Sequence, residues 1–208
     1  MERIRPIEAA GAARACIYGR GDTTTPASNW AALHQVHGNV LHRADTMAAA
    51  QERPQADGLL TNNPEVILTI RVADCVPLWL YHPRLRAGAL LHAGREGTIL
   101  NIARAGVHAL ADAYGAAASE LHAHIGPSAG PCCYEVSEEM AGEFRSRGLP
   151  TNGRMLDLWG ANELQLRNEG VLLAQITCSS QCTICSKGYY SYRGGDDKLR
   201  NVAMLQVS

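Results

Sequence analysis

Apolar residues in this chain gather in short blocks separated by polar and glycine-rich stretches, and the spacing inside each block assigns its element. The segments Glu65 to Val72 (EVILTIRV) and Val76 to Tyr81 (VPLWLY) are near-continuous apolar runs rich in β-formers and read as buried strands. A third run, Ala87 to His92 (AGALLH), reads the same way. From Thr98 to Tyr114 the pattern changes: Ile99, Ala103, Gly106 and Leu110 follow the spacing of one buried helical face, which predicts a helix over the whole segment.

Further along, Ala118 to Ile125 is expected to be a strand. Ser137 offers an N-cap ahead of Glu138 and Glu139, whose charges suit a first helical turn, and that helix is expected to end at Gly148. Another helix is expected from Ala161 to Asn168, closed by Gly170, with strands at Val171 to Ile176 and Asn201 to Val207. The stretch Pro26 to Pro54 is too irregular to assign, and its loops are expected to line a site. These elements predict an α/β fold of mixed helices and strands. With 208 residues and no internal repeat, residues 1–208 are read as a single domain.

Composition narrows the function classes. Hydrophobic residues make up 46% but aromatics only 5%, with one Phe, so the core must be built from Leu, Ile, Val and Ala. Lys plus Arg number 19 against 20 Asp plus Glu, and the cations are scattered, which argues against nucleic acid or an anionic membrane surface as partner. No stretch approaches the roughly 18 apolar residues of a membrane span, so a cytoplasmic protein is expected. Seven cysteines, an odd number in a chain this long, suit metal ligands or buried thiols better than a disulfide framework.

Zinc prefers nitrogen and sulfur ligands, and a catalytic zinc keeps three protein ligands with one position open. His37, Cys75 and His92 meet that demand, and Cys75 and His92 lie at strand ends, where loops assemble sites. Taken singly, each has a plainer explanation: a buried thiol acting as a small hydrophobe, or a satisfied histidine.

Four ordered blocks add to this reading. The strings HQVHG, ADGLLTNNPEVILTIRVADCVPLWLYHP, GALLHAG and IGPSAGPCCYEV, with weaker matches at Cys182-Thr183 and Ser191-Tyr192-Arg193, resemble the successive blocks of the YfiH family, also described as multicopper polyphenol oxidoreductases. The resemblance implies a layered α/β sandwich and a zinc site at His37, Cys75 and His92. It also implies phosphorolysis of adenosine, inosine or methylthioadenosine, with adenosine deamination as a further activity, so the expected partners are a small-molecule substrate and phosphate. Copper-dependent, laccase-like oxidation of phenols is the alternative enzyme, and a metal-binding accessory protein or a hydrolase of another substrate the remaining ones.

Within that frame Cys75 and Asp74 are the expected catalytic residues, Asp74 as a general base or as an orienter of its neighbour. Arg95, Tyr134 and Arg193 are the expected substrate-binding residues. The chain departs from the family where HAGWRGT becomes His92-Ala93-Gly94-Arg95-Glu96-Gly97-Thr98, which sets Glu96 beside an expected phosphate site and Arg95 where it can compensate. The segment before HQVHG is also short, offering Gly19-Arg20-Gly21-Asp22 in place of a longer loop.

Two other motifs compete. Gly126-Pro127-Ser128-Ala129-Gly130 matches G-x-S-x-G, but Pro131 and two cysteines follow where a nucleophile elbow needs a helix. Cys178, Cys182 and Cys185 are spaced for a second metal, with Cys132 or Cys133 as the fourth ligand it requires, against a plain reading of reduced thiols.

Overall fold

The computed structural model describes residues 1–23 and 29–208. In chain order the strands and helices are β1 (Glu2–Arg3), α1 (Arg5–Ala9), β2 (Arg14–Tyr18), β3 (Trp30–Ala31), β4 (Leu41–Arg43), α2 (Met47–Gln51) and β5 (Gly58–Thr61). The central stretch is β6 (Ile67–Val72), β7 (Val76–His82), β8 (Ala87–Ala93), α3 (Arg95–Ile99), α4 (Ile102–Tyr114) and β9 (His122–Ile125). The remainder is α5 (Glu138–Ser146), a hairpin of β10 (Thr151–Asn152) and β11 (Met155–Leu156), α6 (Leu158–Asn168), β12 (Ile176–Cys178) and β13 (Asn201–Gln206).

Three layers result. One sheet runs β1-β2-β13-β6-β3 and a second runs β12-β9-β7-β8-β5-β4. The alternation of side chains along a strand explains the stacking. On β7, Val76, Leu78 and Leu80 join α4, α5 and α6 in one core cluster, while Trp79 and Tyr81 point the other way and pack against the five-stranded sheet. On β8, Ala89 and Leu91 face the helices and Leu90 faces the sheet. Because both faces of β7 and β8 are covered, every residue of each is buried, which is why they read as near-continuous apolar runs. Trp79 ties the sheets with a polar contact as well, its Nε1 donating to the Met204 carbonyl at 2.9 Å. The helix layer sits close: a Cβ on Gly106 of α4 would lie 2.5 Å from Leu91 Cδ1.

The expected mixed α/β class holds, with corrections inside it. The single helix foreseen from Thr98 to Tyr114 is two, broken at Asn101, which adopts the left-handed conformation (φ 58°) and caps α4 by accepting from the Arg104 amide. Asparagine tolerates that conformation, and a helical spacing of apolar residues does not register it. The strand foreseen from Ala118 begins at His122, after a 3-10 turn at Ala118–Glu120. That foreseen from Val171 reduces to β12, because a 3-10 turn occupies Leu173–Gln175. The helix foreseen from Ala161 starts earlier, where Asp157 caps α6 by accepting from the Gly160 amide. Of the unassigned stretch, residues 26–28 lie outside the described residues; the rest contains β3, β4 and α2. Among the described residues no helix is long and apolar enough to cross a membrane.

One buried histidine gives the fold a pH dependence. His124 on β9 lies between Thr177 Oγ1 (2.8 Å) and Ser179 Oγ (2.9 Å), and burial pushes its pKa from 6.5 down to about 4. Between those values the unfolded chain takes up a proton that the folded chain refuses, so this contribution to stability is whole above pH 6.5 and is lost as pH falls toward 4. Urea titrations at pH 7 and pH 4.5 are expected to show a steeper acid loss for the wild type than for His124→Gln; equal losses would contradict this assignment.

Candidate metal centre

His92 ends the face of β8 that carries Gly88 and Leu90 toward the five-stranded sheet, and so it emerges at the rim of the gap between the sheets. Cys75 lies in the tight connection between β6 and β7, directly ahead of Val76, which pairs with Ala93 beside His92. His37 comes from the loop ahead of β4 and sits in the left-handed region at φ 63°. The ligand atoms of these three side chains all lie within 4.8 Å of one another. The imidazoles of His37 and His92 meet edge to face, with centroids 4.9 Å apart. His92 is buried, Cys75 partly buried and His37 exposed, so the group has a closed floor and an open front.

Sequence reasoning missed the residue that organises this group. The fully buried Asp57 carboxylate accepts from the backbone amides of Val36, His37 and Gly38 at 3.2, 2.9 and 2.6 Å, and lies 2.8 Å from His92 Nδ1. With Nδ1–H donating to Asp57, the lone pair of His92 is left on Nε2, the arrangement that suits a metal-ligating imidazole. The available signal was an acid placed immediately before the apolar residues of β5, where an unpaired charge would be costly.

The electrostatics follow. Burial alone would raise the Cys75 thiol, but hydrogen bonds with His37 and His92 outweigh it and draw the pKa down to about 6. Burial opposes charge on His92 too, yet Asp57 and Cys75 together lift it to about 9. Contact with Cys75 raises His37. The chain thus favours a thiolate, the form a metal requires, and metal binding would displace protons from the imidazoles. Two imidazoles, one thiolate and an open front fit a zinc or copper ion.

Gly94 is required for the close approach. A Cβ there would stand 2.8 Å from Cys75 Sγ and 3.4 Å from His37 Cδ2, although its backbone (φ −74°, ψ −179°) is open to any residue.

The group opens into a cavity of about 700 Å³ that is also lined by Gln35, Arg71, Asp74, Tyr192, Lys198 and Arg200. The three expected binding residues, Arg95, Tyr134 and Arg193, line it too, as does Glu96. Arg193 holds its guanidinium 5.1 Å over the Tyr134 ring and donates to the Glu135 carbonyl at 2.9 Å. Arg95 is paired with its neighbour, Nε and Nη2 reaching Glu96 Oε1 at 3.0 and 2.8 Å. Asp74 is buried and in the left-handed region (φ 79°); its carboxylate accepts from Thr183 Oγ1 at 2.6 Å and from the Arg193 amide at 2.7 Å, which joins the C-terminal loops to the cavity. Ser128 of the G-x-S-x-G segment is buried, accepts from Trp159 Nε1 at 2.7 Å and donates to the Gly126 carbonyl at 3.3 Å. The nearest thing to an elbow serine is therefore a packing contact. Cys178 lies outside both groups of metal-ligating side chains found among the described residues.

A family model described as multi-copper polyphenol oxidoreductase laccase matches residues 16–206. The chain belongs to this family. One member similar to it is the purine nucleoside phosphorylase YlmD of Geobacillus stearothermophilus, 33% identical over 187 aligned residues that cover 81% of this chain and 68% of the relative. A purine nucleoside phosphorylase of Deinococcus radiodurans is 37% identical over 174 residues, covering 80% of this chain and 65% of that protein. The chain spans about two-thirds of the length of these relatives. Among solved structures, YlmD of Geobacillus stearothermophilus superposes with a TM-score of 0.79 at 32% identity, covering 86% of this chain and 74% of that one. The hypothetical protein YfiH of Bacillus licheniformis gives 0.78 at 28% identity, covering 89% and 76%. The layered fold implied by the sequence blocks is the fold these relatives have.

Two substitutions test the geometry. Asp57→Asn is expected to weaken metal affinity on the order of 10- to 100-fold in a chelator competition, the usual cost of removing a carboxylate behind a ligating histidine. Gly94→Ala is expected to retain the wild-type circular dichroism spectrum while losing the metal; metal bound at wild-type affinity in either variant would contradict the assembly described here.

Proposed function

We propose that the chain is a zinc-dependent enzyme that cleaves purine nucleosides such as adenosine, inosine or methylthioadenosine with phosphate. The observation that carries this reading is the His37–Cys75–His92 group on the floor of a cavity whose walls hold Arg71, Arg95, Arg193, Lys198 and Arg200. Against these five cations stand Asp74, Glu96 and the Cys75 thiolate, so the cations outnumber the anions and the cavity favours an anion. The names of the relatives support the same reaction class.

Zinc held by the three side chains would supply a Lewis acid with a position open to water or a substrate oxygen. The wall cations, Arg193 and Arg200 among them, bind and orient hydrogen phosphate, a task to which the planar guanidinium fork is suited. Tyr134 offers a ring face and Arg193 is braced on it, so the two form one wall against the substrate. Asp74 acts as a positioning residue, since its carboxylate holds the Thr183 hydroxyl and the Arg193 amide. In the reaction a phosphate oxygen forms the bond to C1′ of the ribose as the C1′–N9 bond breaks. The purine leaves with that electron pair and takes the proton given up by hydrogen phosphate. Copper-dependent phenol oxidation draws less support, because a multicopper relay needs several histidine-bearing centres and one such group is found among the described residues.

Chromatography of inosine incubated with phosphate and the zinc-loaded protein is expected to show hypoxanthine and ribose 1-phosphate, absent with His37→Ala/Cys75→Ala. Product no higher than in that control would overturn the reading. Glu96→Gln releases Arg95 from its pairing and is expected to lower KM for phosphate severalfold with kcat little changed; an unchanged KM would place the phosphate away from Arg95.

A further inference from the structure

A second group of thiols adjoins Tyr134, which lines the cavity. The loop after β9 carries the adjacent Cys132 and Cys133, and the loop after β12 carries Cys182 and Cys185 in a C-x-x-C spacing. All four sulfurs lie within 4.8 Å of one another, with 4.0 Å between those of Cys132 and Cys185. Four sulfurs around one zinc at ≈2.3 Å stand about 3.8 Å apart along each tetrahedral edge. The observed spacing is close to that and far from the ≈2.05 Å of a disulfide; none of the four is bonded to another. An iron–sulfur cluster interposes several metal atoms and would spread the sulfurs further than a single ion does.

The local backbone favours a thiolate at Cys182. Cys182 is buried, and its sulfur accepts from the Gly130 amide at 3.3 Å. Amides aimed at a sulfur favour its anionic form, the form that binds metal. Cys178, expected from the sequence to belong to this group, is excluded: it lies on β12, and its sulfur accepts from the Ser180 amide at 3.3 Å. Cys132 or Cys133 was expected as the fourth ligand; both belong to the group, and the second of them stands in for Cys178.

We propose that Cys132, Cys133, Cys182 and Cys185 form a second metal site, which binds one zinc ion through four thiolates and serves the structure. Four protein ligands leave no open position for water or substrate, the mark of a structural site. Binding releases the thiol protons to solvent and changes no oxidation state. The ion pins together two loops that otherwise meet through few bonds, among them Ser128 amide to Gln181 carbonyl at 3.2 Å and Thr183 amide to Ser128 carbonyl at 2.9 Å. Directly after a ligand, one loop carries a residue that lines the cavity and the other a residue that holds a lining carboxylate. Tyr134 follows Cys133, and Thr183, which donates to Asp74, follows Cys182. The second ion therefore fixes the wall that faces the first, and it is independent of the reaction assigned above.

The test uses the full chain purified without chelators. Elemental analysis is expected to find two zinc ions per chain in the wild type and one in each of Cys75→Ala and the double variant Cys182→Ser/Cys185→Ser. Iodoacetamide labelling, mapped by mass spectrometry on the wild type, covers the case in which the double variant fails to fold. Cys132 and Cys185 are exposed, as is Cys178. In zinc-loaded protein the first two are expected to resist alkylation while Cys178 reacts, and all three react once zinc is stripped. Cobalt added to stripped Cys75→Ala is expected to give the intense sulfur-to-metal charge-transfer absorption of a tetrathiolate centre. Alkylation of Cys132 and Cys185 at the rate of Cys178 in loaded protein, or Cys75→Ala left without metal, would overturn the proposal. Neither result depends on nucleoside turnover.

Discussion

The candidate site depends on one buried carboxylate. A charge taken out of water costs several kcal/mol unless donors replace the water, and Asp57 receives four: three consecutive loop amides and His92 Nδ1. The same residue joins the backbone on both sides, its carbonyl accepting from the His92 amide at 2.7 Å and its amide donating to Val40 at 2.9 Å. A single interaction thereby sets the tautomer of His92, holds the loop that bends His37 into a left-handed conformation, and fixes both against β5 and β8.

The layers supply what the carboxylate cannot. Coverage of both faces of β7 and β8 makes those strands rigid, and their antiparallel pairing brings Val76 level with Ala93, so Cys75 and His92 emerge at one end of the same pair. The break at Asn101 frees α3 from α4 and sets Arg95 and Glu96 at the rim of the cavity. Beside Cys75, Asp74 plays a part like that of Asp57, gathering Thr183 and Arg193 from a distant part of the chain. Both carboxylates organise loops.

How much of this was legible follows from the range of each interaction. The strands β6, β7, β8 and β13 were readable within two residues because burial writes itself into a local apolar run, and Ser137 was readable because a cap acts within one turn. Short strands such as β2 and β5 carry too few apolar residues to stand out from irregular sequence. The three candidate ligands could be named only through the ordered blocks, since Cys75 and the two histidines look ordinary one at a time. Asp57 escaped because its partners lie 19 to 35 residues away and no local pattern marks them. The exchange of Cys178 for the second of the vicinal cysteines has the same origin: sequence proximity favoured Cys178, and the parallel pairing of β12 with β9 brought together the loops that carry the other four.

Anomalous diffraction measured on both sides of the zinc edge, from crystals of metal-loaded protein, tests the central claim most directly. The account predicts a peak about 2.0 to 2.3 Å from Cys75 Sγ and His92 Nε2, with His37 completing the protein ligands and Asp57 behind His92. Zinc-replete crystals with no peak there, or with Cys75 turned away from both imidazoles, would contradict it.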